Sequence, residues 1–281
     1  MAAEILYTID KGVNFDAITG PFAANEDILS AVCFAVNNSA NRWLVARGAE
    51  AAPANPAEVG YSDDSGAAWT NVDVEAAGTR AAVDSGALYA IDKRHIWIVI
   101  SGGYILFSDD GGETWTPQSE GTITTEDLRA VHFADAENGM AAGDAGKVLK
   151  TNDGGATWSE VTDILAVPNV LTVQMFDKNT AIVGTANGMI YMTLNGGTSW
   201  VQKYSISGGS VDSINVVNKF VVWAVSNTGG PVGTVIRSRN GGYSWELITT
   251  PTNTGLNSIK GLDSNKAWAV GNAGVIVKVS G

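Results

Sequence analysis

A short turn motif occurs six times along this chain of 281 residues, and its spacing constrains the fold more than any other feature. The motif reads Ser/Thr-x-Asp/Asn-x-Gly-x-x-Trp/Phe. Its Asp or Asn lies at positions 10, 64, 110, 153, 195 and 240, which are 54, 46, 43, 42 and 45 residues apart. A period of this size indicates one supersecondary unit that is repeated, as in a solenoid or a propeller.

Each residue type in the motif has a physical role in a hairpin turn. The Asp or Asn accepts hydrogen bonds from backbone N–H groups ahead of it, and the Gly adopts a backbone conformation that a side chain would oppose. The aromatic ring then fills space between neighbouring sheets. The predicted structural residues are therefore Asp10, Asp64, Asp110, Asp153, Asn195 and Asn240, with Gly12, Gly66, Gly112, Gly155, Gly197 and Gly242, and with Phe15, Trp69, Trp115, Trp158, Trp200 and Trp245.

These copies resemble the Asp-box, or BNR repeat, and the resemblance extends over essentially the whole chain, from Thr8 to Val279. It implies an all-β fold, a six-bladed β-propeller of four-stranded blades, in which the boxes are structural turns at the outer rim. The sixth unit ends before a box, whereas a box and a fourth strand occur between Ile5 and Ile18. The N-terminal strand is therefore expected to complete the C-terminal blade, which leaves no open sheet edge. A seventh, partial blade is the alternative.

Six units of this length account for nearly the whole chain, so residues 1–281 are expected to form a single domain. The nine tryptophans are explained as packing residues. Five belong to boxes, and the other four share one place in the second strand of a blade: Trp43, Trp97, Trp223 and Trp268. In the third and fourth blades, Met140 and Ala181 are aligned with that place. No tryptophan is left as a stacking platform for a sugar or a base.

The charge of the chain argues against two classes of partner. The formal net charge is −12, with 29 acidic and 17 basic residues and no cluster of Lys or Arg. Nucleic acids and anionic membranes both need local positive potential, so neither is an expected partner. The N-terminus has neither a basic start nor a long apolar run, so no signal peptide is visible and the location of the protein is left open, with a virion as one candidate.

Candidate metal and cofactor residues are few. With two histidines, His95 and His132, and one cysteine, the sequence makes no recognisable zinc site, and no cofactor or metal is expected. Cys33 lies in the apolar stretch 31–34 and is expected to be a small buried hydrophobe.

Asp-box propellers include sialidases, which use an arginine triad, a Tyr/Glu nucleophile pair and an early Arg-Ile-Pro sequence. This chain has no Arg-Ile-Pro. Its arginines also do not recur at one position of the blades: Arg42, Arg47, Arg80, Arg94, Arg129, Arg237 and Arg239. The chain is therefore expected to have no catalytic residues and not to be an enzyme.

One candidate site is a ring of side chains around the central channel. Aligning the first strands of the blades brings six residues to one equivalent position, and five of them are polar or amphipathic. First strands surround the channel of a propeller, so these side chains either bond to one another and to water or hold a small ligand or ion. They are Cys33, Tyr89, His132, Gln174, Asn215 and Lys260.

A second candidate site consists of two lengthened turns between second and third strands. Blade one extends this turn through Pro53, Asn55 and Pro56, and blade five through Asn227, Thr228 and Pro231. Loops on a rigid scaffold are a usual place for recognition, so a protein partner is expected to contact them. The alternative is that both are tolerated surface insertions.

Two non-catalytic groups of Asp-box proteins are similar to this chain. One is the photosystem II assembly and stability factor family, which shares the Asp-Gly-Gly-x-Thr-Trp style of repeat; the other is the set of BNR-like propellers that bacteriophages carry in the head or tail. The sequence-based hypothesis is a structural propeller with protein partners, an accessory component of a phage virion or another large assembly. A glycan-binding, lectin-like propeller is the alternative. A photosystem assembly factor or a sialidase-type glycoside hydrolase is favoured less.

Overall fold

The structure, a computed structural model, describes residues 4–7, 16–21, 30–37, 40–47, 57–74, 87–161, 169–228, 233–248, 250 and 254–280. The chain divides into two compact units, residues 1–127 and 128–281. Each strand pair in the described residues is antiparallel, and each blade runs up and down in sequence order. This order follows from the hairpin turns that the sequence motifs predict.

The described residues of the first unit form three sheets. An N-terminal hairpin consists of β1 (Glu4–Tyr7) and β2 (Asp16–Thr19). Blade one consists of β3 (Ser30–Asn37), β4 (Ala40–Arg47), β5 (Glu58–Ser62) and β6 (Thr70–Asp73). Blade two consists of β7 (Leu88–Asp92), β8 (His95–Ile100), β9 (Tyr104–Ser108) and β10 (Thr116–Glu120), with a short 3₁₀ turn at Ser101–Gly103.

In the part of the second unit that the structure describes, there are four sheets. Blade three consists of β11 (Leu128–Phe133), β12 (Gly139–Gly143), β13 (Val148–Thr151) and β14 (Ser159–Glu160), with a 3₁₀ turn at Asp144–Gly146. Blade four consists of β15 (Val170–Met175), β16 (Ala181–Thr185), β17 (Met189–Thr193) and β18 (Val201–Ser205). Blade five consists of β19 (Gly209–Val216), β20 (Val222–Thr228), β21 (Gly233–Ser238) and β22 (Glu246–Ile248). Blade six consists of β23 (Leu256–Gly261), β24 (Lys266–Gly271) and β25 (Ile276–Ser280), with a 3₁₀ turn at Asn272–Gly274.

These sheets confirm the predicted all-β fold, a six-bladed β-propeller. Blade six has three strands among the described residues. The strands β1 and β2 pair in antiparallel fashion, as do the third and fourth strands of the other blades. The completion of blade six by the N-terminal strand stays a prediction, as does the single domain over residues 1–281. Asp10, Gly12 and Phe15 of the first box lie outside the described residues.

The core of the second unit lies between neighbouring blades. Every residue of β12 and β16 is buried. One apolar cluster joins blades three and four around Met140 and Val173, a second joins blades four and five around Ile182, and a third joins blades five and six around Trp223. The blades are therefore held to one another by apolar packing rather than by a continuous sheet.

The strand register tests the alignment of the tryptophans. Trp223 lies opposite Asn215 on the first strand, and Trp43, Trp97, Met140 and Trp268 occupy the same register position in their blades. In blade four this position belongs to Ile182, opposite Gln174. The assignment of Ala181 is therefore wrong by one residue, since Ala181 pairs with Met175 at the strand end just as Gly139 pairs with Phe133 in blade three.

Candidate functional site

The box turns have one hydrogen-bond pattern in the five copies that the structure describes. In the fourth box, Thr151 Oγ1 donates to Asp153 Oδ1 at 2.7 Å and accepts the backbone N–H of Gly155 at 2.9 Å. The same carboxylate oxygen accepts the backbone N–H of Thr157 at 2.9 Å. Gly155 has a φ of 92°, in the left-handed region that favours glycine. The other four described boxes repeat the bonds around the Ser or Thr hydroxyl, through Ser62, Ser108, Thr193 and Ser238.

The box tryptophans turn inward from these bends. Trp158 is buried and meets Phe133 edge to face, with the ring centroids 5.8 Å apart. The indole N–H groups of Trp115 and Trp245 donate to the carbonyl oxygens of their own box glycines at 3.2 and 3.1 Å. Trp69 and Trp200 are partly buried. The side-chain hydrogen bonds of Trp115 and Trp245 thus lie within their own turns.

Replacing Thr157 by Val is expected to raise the pKa of Asp153. The hydroxyl of Thr157 donates to Asp153 Oδ2 at 2.6 Å. This bond, with those from the backbone of Thr157 and the hydroxyl of Thr151, lowers the pKa of Asp153 from 3.8 to about 2. Carbon-detected NMR titration of the carboxyl measures the change. Thr114→Val, which removes the equivalent bond to Asp110, is the control. An unchanged midpoint for Asp153 in Thr157→Val would contradict the assignment.

Each described box of blades three to five also contacts the turn between the first and second strands of its own blade. The backbone N–H of Gly154 donates to the carbonyl of Glu137 at 2.9 Å, that of Gly196 to Asn179 at 2.8 Å, and that of Gly241 to Phe220 at 2.7 Å. These bonds join main-chain atoms only. The two turns therefore form one surface in each blade, whatever side chains they carry.

The predicted channel residues of the second unit link neighbouring blades. His132, Gln174, Asn215 and Lys260 share one register position. His132 Nδ1 accepts the backbone N–H of Met175 at 3.2 Å, and Asn215 Oδ1 accepts that of Gly261 at 2.9 Å. Each acceptor thus binds a backbone N–H on the first strand of the following blade. At the edge of a separate sheet, this N–H would have no neighbouring strand to bond to. A ligand or ion at these residues stays a prediction.

The side chain of His132 stays neutral in this environment. Burial lowers its pKa to about 3, and the charge of Lys260 adds to the shift. A neutral imidazole is also what the bond to Met175 requires, because Nδ1 must hold a lone pair to accept that N–H. His132 therefore acts as a hydrogen-bond acceptor at neutral pH.

In the first unit the same position holds Cys33 and Tyr89. Burial raises the pKa of the Tyr89 hydroxyl. Cys33 is exposed, so the prediction of a buried cysteine is wrong. Successive side chains of a strand point to opposite faces, and here Ala31 and Cys33 lie on the exposed face of β3 while Val32 and Phe34 are partly buried on the other.

The lengthened turn of blade five is largely a longer hairpin. Asn227 pairs with Gly233 in the ladder, and its side chain both donates to the carbonyl of Leu256 and accepts the backbone N–H of Leu256, each at 2.8 Å. Asn227 Nδ2 also donates to Asp212 Oδ2 at 2.5 Å. Thr228 ends β20. Pro231 lies outside the described residues, as do Pro53, Asn55 and Pro56 of blade one. Contact of either turn with a partner stays a prediction.

Asp212 is the one carboxyl group, among those the structure describes, whose pKa is raised. Its burial raises the pKa, and hydrogen bonds from Ser210 and Asn227 oppose this shift. Ser210 Oγ lies 2.9 Å from Asp212 Oδ2.

Within the described ranges, no group of three His, Cys, Asp or Glu residues is placed to bind a metal ion. The same residues include no helix that is long and apolar enough to cross a membrane.

The described arginines outside the turn at Arg94 are paired with carboxylates. Arg42 binds Asp63 and Glu113, and Arg47 binds Glu58. In the second unit, Arg129 binds Asp144, and Arg237 and Arg239 share Glu246.

The charge is distributed unevenly along the chain. Residues 1–127 hold nineteen acidic and six basic residues, whereas residues 128–281 hold ten acidic and eleven basic residues. This difference in charge between the two parts of the chain is visible only when charges are counted along the sequence. The net charge alone does not show it, and the sequence reasoning missed it.

Comparison with known proteins identifies the family. The sequence model described as "Photosynthesis system II assembly factor YCF48" matches residues 29–151 and 61–230. The chain belongs to this family. A curated relative, the photosystem II stability/assembly factor HCF136 of Cyanidioschyzon merolae, is 38% identical over 140 residues, which are 48% of this chain and 31% of the relative. The chain thus spans about a third of the length of this YCF48-family protein.

Solved structures agree with the fold of the YCF48 family. A structure of YCF48 bound to a D1 peptide has a TM-score of 0.70 at 12% identity, over 99% of this chain and 86% of that chain. The GH74 xyloglucanase of Xanthomonas campestris has a TM-score of 0.61 at 16% identity, over 84% of this chain and 43% of the enzyme. Identity this low shows a shared fold and nothing more of the enzyme.

The hypothesis of a phage virion component is wrong. The family match and the HCF136 relative both point to a photosystem II assembly factor, which the sequence reasoning had favoured less. Both groups are similar to this chain in the repeat motif, so the motif alone does not choose between them.

Proposed function

We propose that this chain is a non-catalytic assembly factor, which binds a segment of a partner protein and holds it before the partner enters its complex. The observation that carries the proposal is the match to the YCF48 family over residues 29–230. A solved YCF48 structure that covers 99% of this chain holds a peptide of D1. A peptide-binding propeller needs a fixed scaffold and a surface of turns, and the repeated box and turn contacts supply both.

The chemistry of the described side chains supports a binding role over a catalytic one. Glycoside hydrolysis, the reaction of the xyloglucanases that share this fold, needs two carboxyl groups on either side of the scissile bond. Asp64, Asp110 and Asp153 accept the hydrogen bonds of their own box turns. Asp212 is held by Ser210 and Asn227. These carboxylates are engaged in maintaining the fold.

An array of overlapping peptides tests the binding proposal. The array carries segments of D1 and of proteins from the source of this chain, and it is probed with the purified protein. We expect retention on a few overlapping peptides of one partner and none on scrambled versions of them. Fluorescence anisotropy with the retained peptide then gives the affinity. Uniform failure to bind any segment would contradict the proposal.

Incubation with xyloglucan tests the non-catalytic part. We expect no release of reducing sugar, since Asp64, Asp110, Asp153 and Asp212 are held in hydrogen bonds that maintain the fold. Release that persists in the purified protein and is abolished in Asp212→Asn would assign an enzyme, with Asp212 as its acid. The Asp212→Asn side chain still offers a hydrogen-bond partner to Ser210 and Asn227, so this variant should fold. Thermal melting of the variant checks that it does.

A further inference from the structure

The box side of blade five exposes two aromatic side chains. Phe220 lies in the turn between β19 and β20 and is 57% exposed, and Tyr243 lies in the box turn and is 53% exposed. The bond from the Gly241 N–H to the carbonyl of Phe220 brings these two turns together. The ammonium groups of Lys219 and Lys203 lie 4.9 Å from the Phe220 ring centroid and 4.6 Å from that of Tyr243.

These residues depart from the repeat. At the place of Phe220, blades three and four carry Glu137 and Asn179, and the three bind their boxes through the same backbone bond. At the place of Tyr243, the boxes of those blades carry Ala156 and Thr198. The hydrogen bonds of the box in blade five are otherwise those of the other copies. The turn geometry therefore does not need either aromatic ring.

One lysine lies near each ring, and Arg239 belongs to the same box turn as Tyr243. Arg237 and Arg239 share the single carboxylate of Glu246, and Arg239 also donates to Asn265 Oδ1 at 3.0 Å, on the neighbouring turn of blade six. Neither Lys203 nor Lys219 has an acidic partner within the described residues. Residues 201–281 hold seven basic and three acidic residues, and one of those three, Asp212, is partly buried. This part of the chain is thus locally basic, although the net charge of the whole chain is −12.

We infer that this blade-five patch, formed by Phe220, Tyr243, Lys203, Lys219 and Arg239, binds an acidic segment of the partner protein with aromatic or aliphatic side chains between its carboxylates. The inference rests on the proposed function and names the class of segment. The ring faces take the apolar side chains, and each flexible ammonium group turns from a ring to a carboxylate. Exposed apolar groups beside cations on the surface are complementary to such a segment.

A short acidic segment fits this patch better than an anionic membrane does. Electrostatic attraction falls off within a Debye length, about 8 Å at physiological salt, so a narrow segment meets the blade-five patch alone. Anionic membranes are bound by clusters of about four to eight basic residues, whereas this patch holds three, Lys203, Lys219 and Arg239.

Two labelled synthetic peptides test the inference by fluorescence anisotropy. The first alternates Asp with Leu and Phe, and the second carries Lys in place of each Asp. We expect the full chain to bind the acidic peptide at least about tenfold more tightly than the basic one. The affinity should fall between about 50 mM and about 300 mM NaCl, because the cations of the patch are exposed or partly exposed to solvent.

A matched pair of double variants locates the binding surface. Phe220→Asn with Tyr243→Thr introduces the residues that blade four has at these places, so the fold should keep its melting temperature. We expect this variant to bind the acidic peptide about tenfold more weakly. Glu137→Asn with Ala156→Thr makes the same replacements in blade three and should leave the affinity unchanged.

The outcomes separate the patch from the proposed function. Unchanged affinity in the blade-five variant, or a preference for the basic peptide, would overturn the inference, whereas the proposed function would stand if array peptides were still retained. Retention on vesicles containing phosphatidylserine without binding of the acidic peptide would assign the patch to a membrane instead and would also overturn it. Loss of array peptides in the blade-five variant alone would support both.

Discussion

Trp223→Ala is expected to lower the free energy of unfolding by about 3–5 kcal/mol. The indole is fully buried between blades five and six and packs against Leu256 and Ile259. Its N–H donates to the carbonyl of Asp263 at 2.9 Å, and the guanidinium carbon of Arg237 lies 5.0 Å from its ring centroid. The truncation therefore leaves a cavity and removes a hydrogen bond that joins two blades.

Trp268→Ala is the matched control for this prediction. Trp268 has the same register position in blade six, but it is only partly buried, with Lys278 Nζ 5.5 Å from its ring centroid. We expect a clearly smaller loss, because less apolar area returns to water on truncation. Urea unfolding of the two variants measures both values. Equal losses would show that packing between blades five and six does not account for the stability that Trp223 provides.

Acidification to about pH 5 is expected to lower the free energy of unfolding by about 2 kcal/mol through His132 alone. In the unfolded chain this imidazole takes up a proton near its ordinary pKa of 6.5, whereas the folded pKa is about 3. The unfolded state therefore binds more protons over this range. Stability from this residue is complete above about pH 6.5 and is lost progressively as the pH falls toward about 3.

His132→Gln isolates that contribution. Glutamine is the residue that blade four has at the same register position, and its amide oxygen can accept the backbone N–H of Met175 without titrating. Urea unfolding at about pH 7 and about pH 5 should show a smaller acid destabilisation in the variant than in the parent chain. An identical change in both would mean that other groups, and not His132, cause the acid sensitivity.

The turn chemistry and the order of the strands could be predicted from the sequence because each box carries its own geometry. Thr151, Asp153 and Gly155 bond to one another within five residues, so no distant contact decides their conformation. The same locality explains why the fold class could be predicted from six copies. What each strand face meets depends on other blades, and this is why Cys33 was predicted to be buried and Ala181 was aligned one residue away from the correct position.

The candidate site was harder to predict for the same reason. The bonds from Met175 to His132 and from Gly261 to Asn215 join residues more than forty positions apart, and no local sequence pattern predicts them. Alignment of the first strands found the correct residues but could not show which neighbours they contact. The blade-five patch was missed because Phe220 and Tyr243 look like ordinary turn residues until their exposure and the charge around them are known.

The backbone bond between each box and its neighbouring turn separates what maintains a blade from what the blade displays. Glu137, Asn179 and Phe220 offer the same carbonyl, although their side chains are acidic, amide and aromatic. Point mutations at these places therefore change the surface of one blade without a cost to its hairpins. Such changes can alter what one blade displays while the backbone bond between its box and the neighbouring turn is kept.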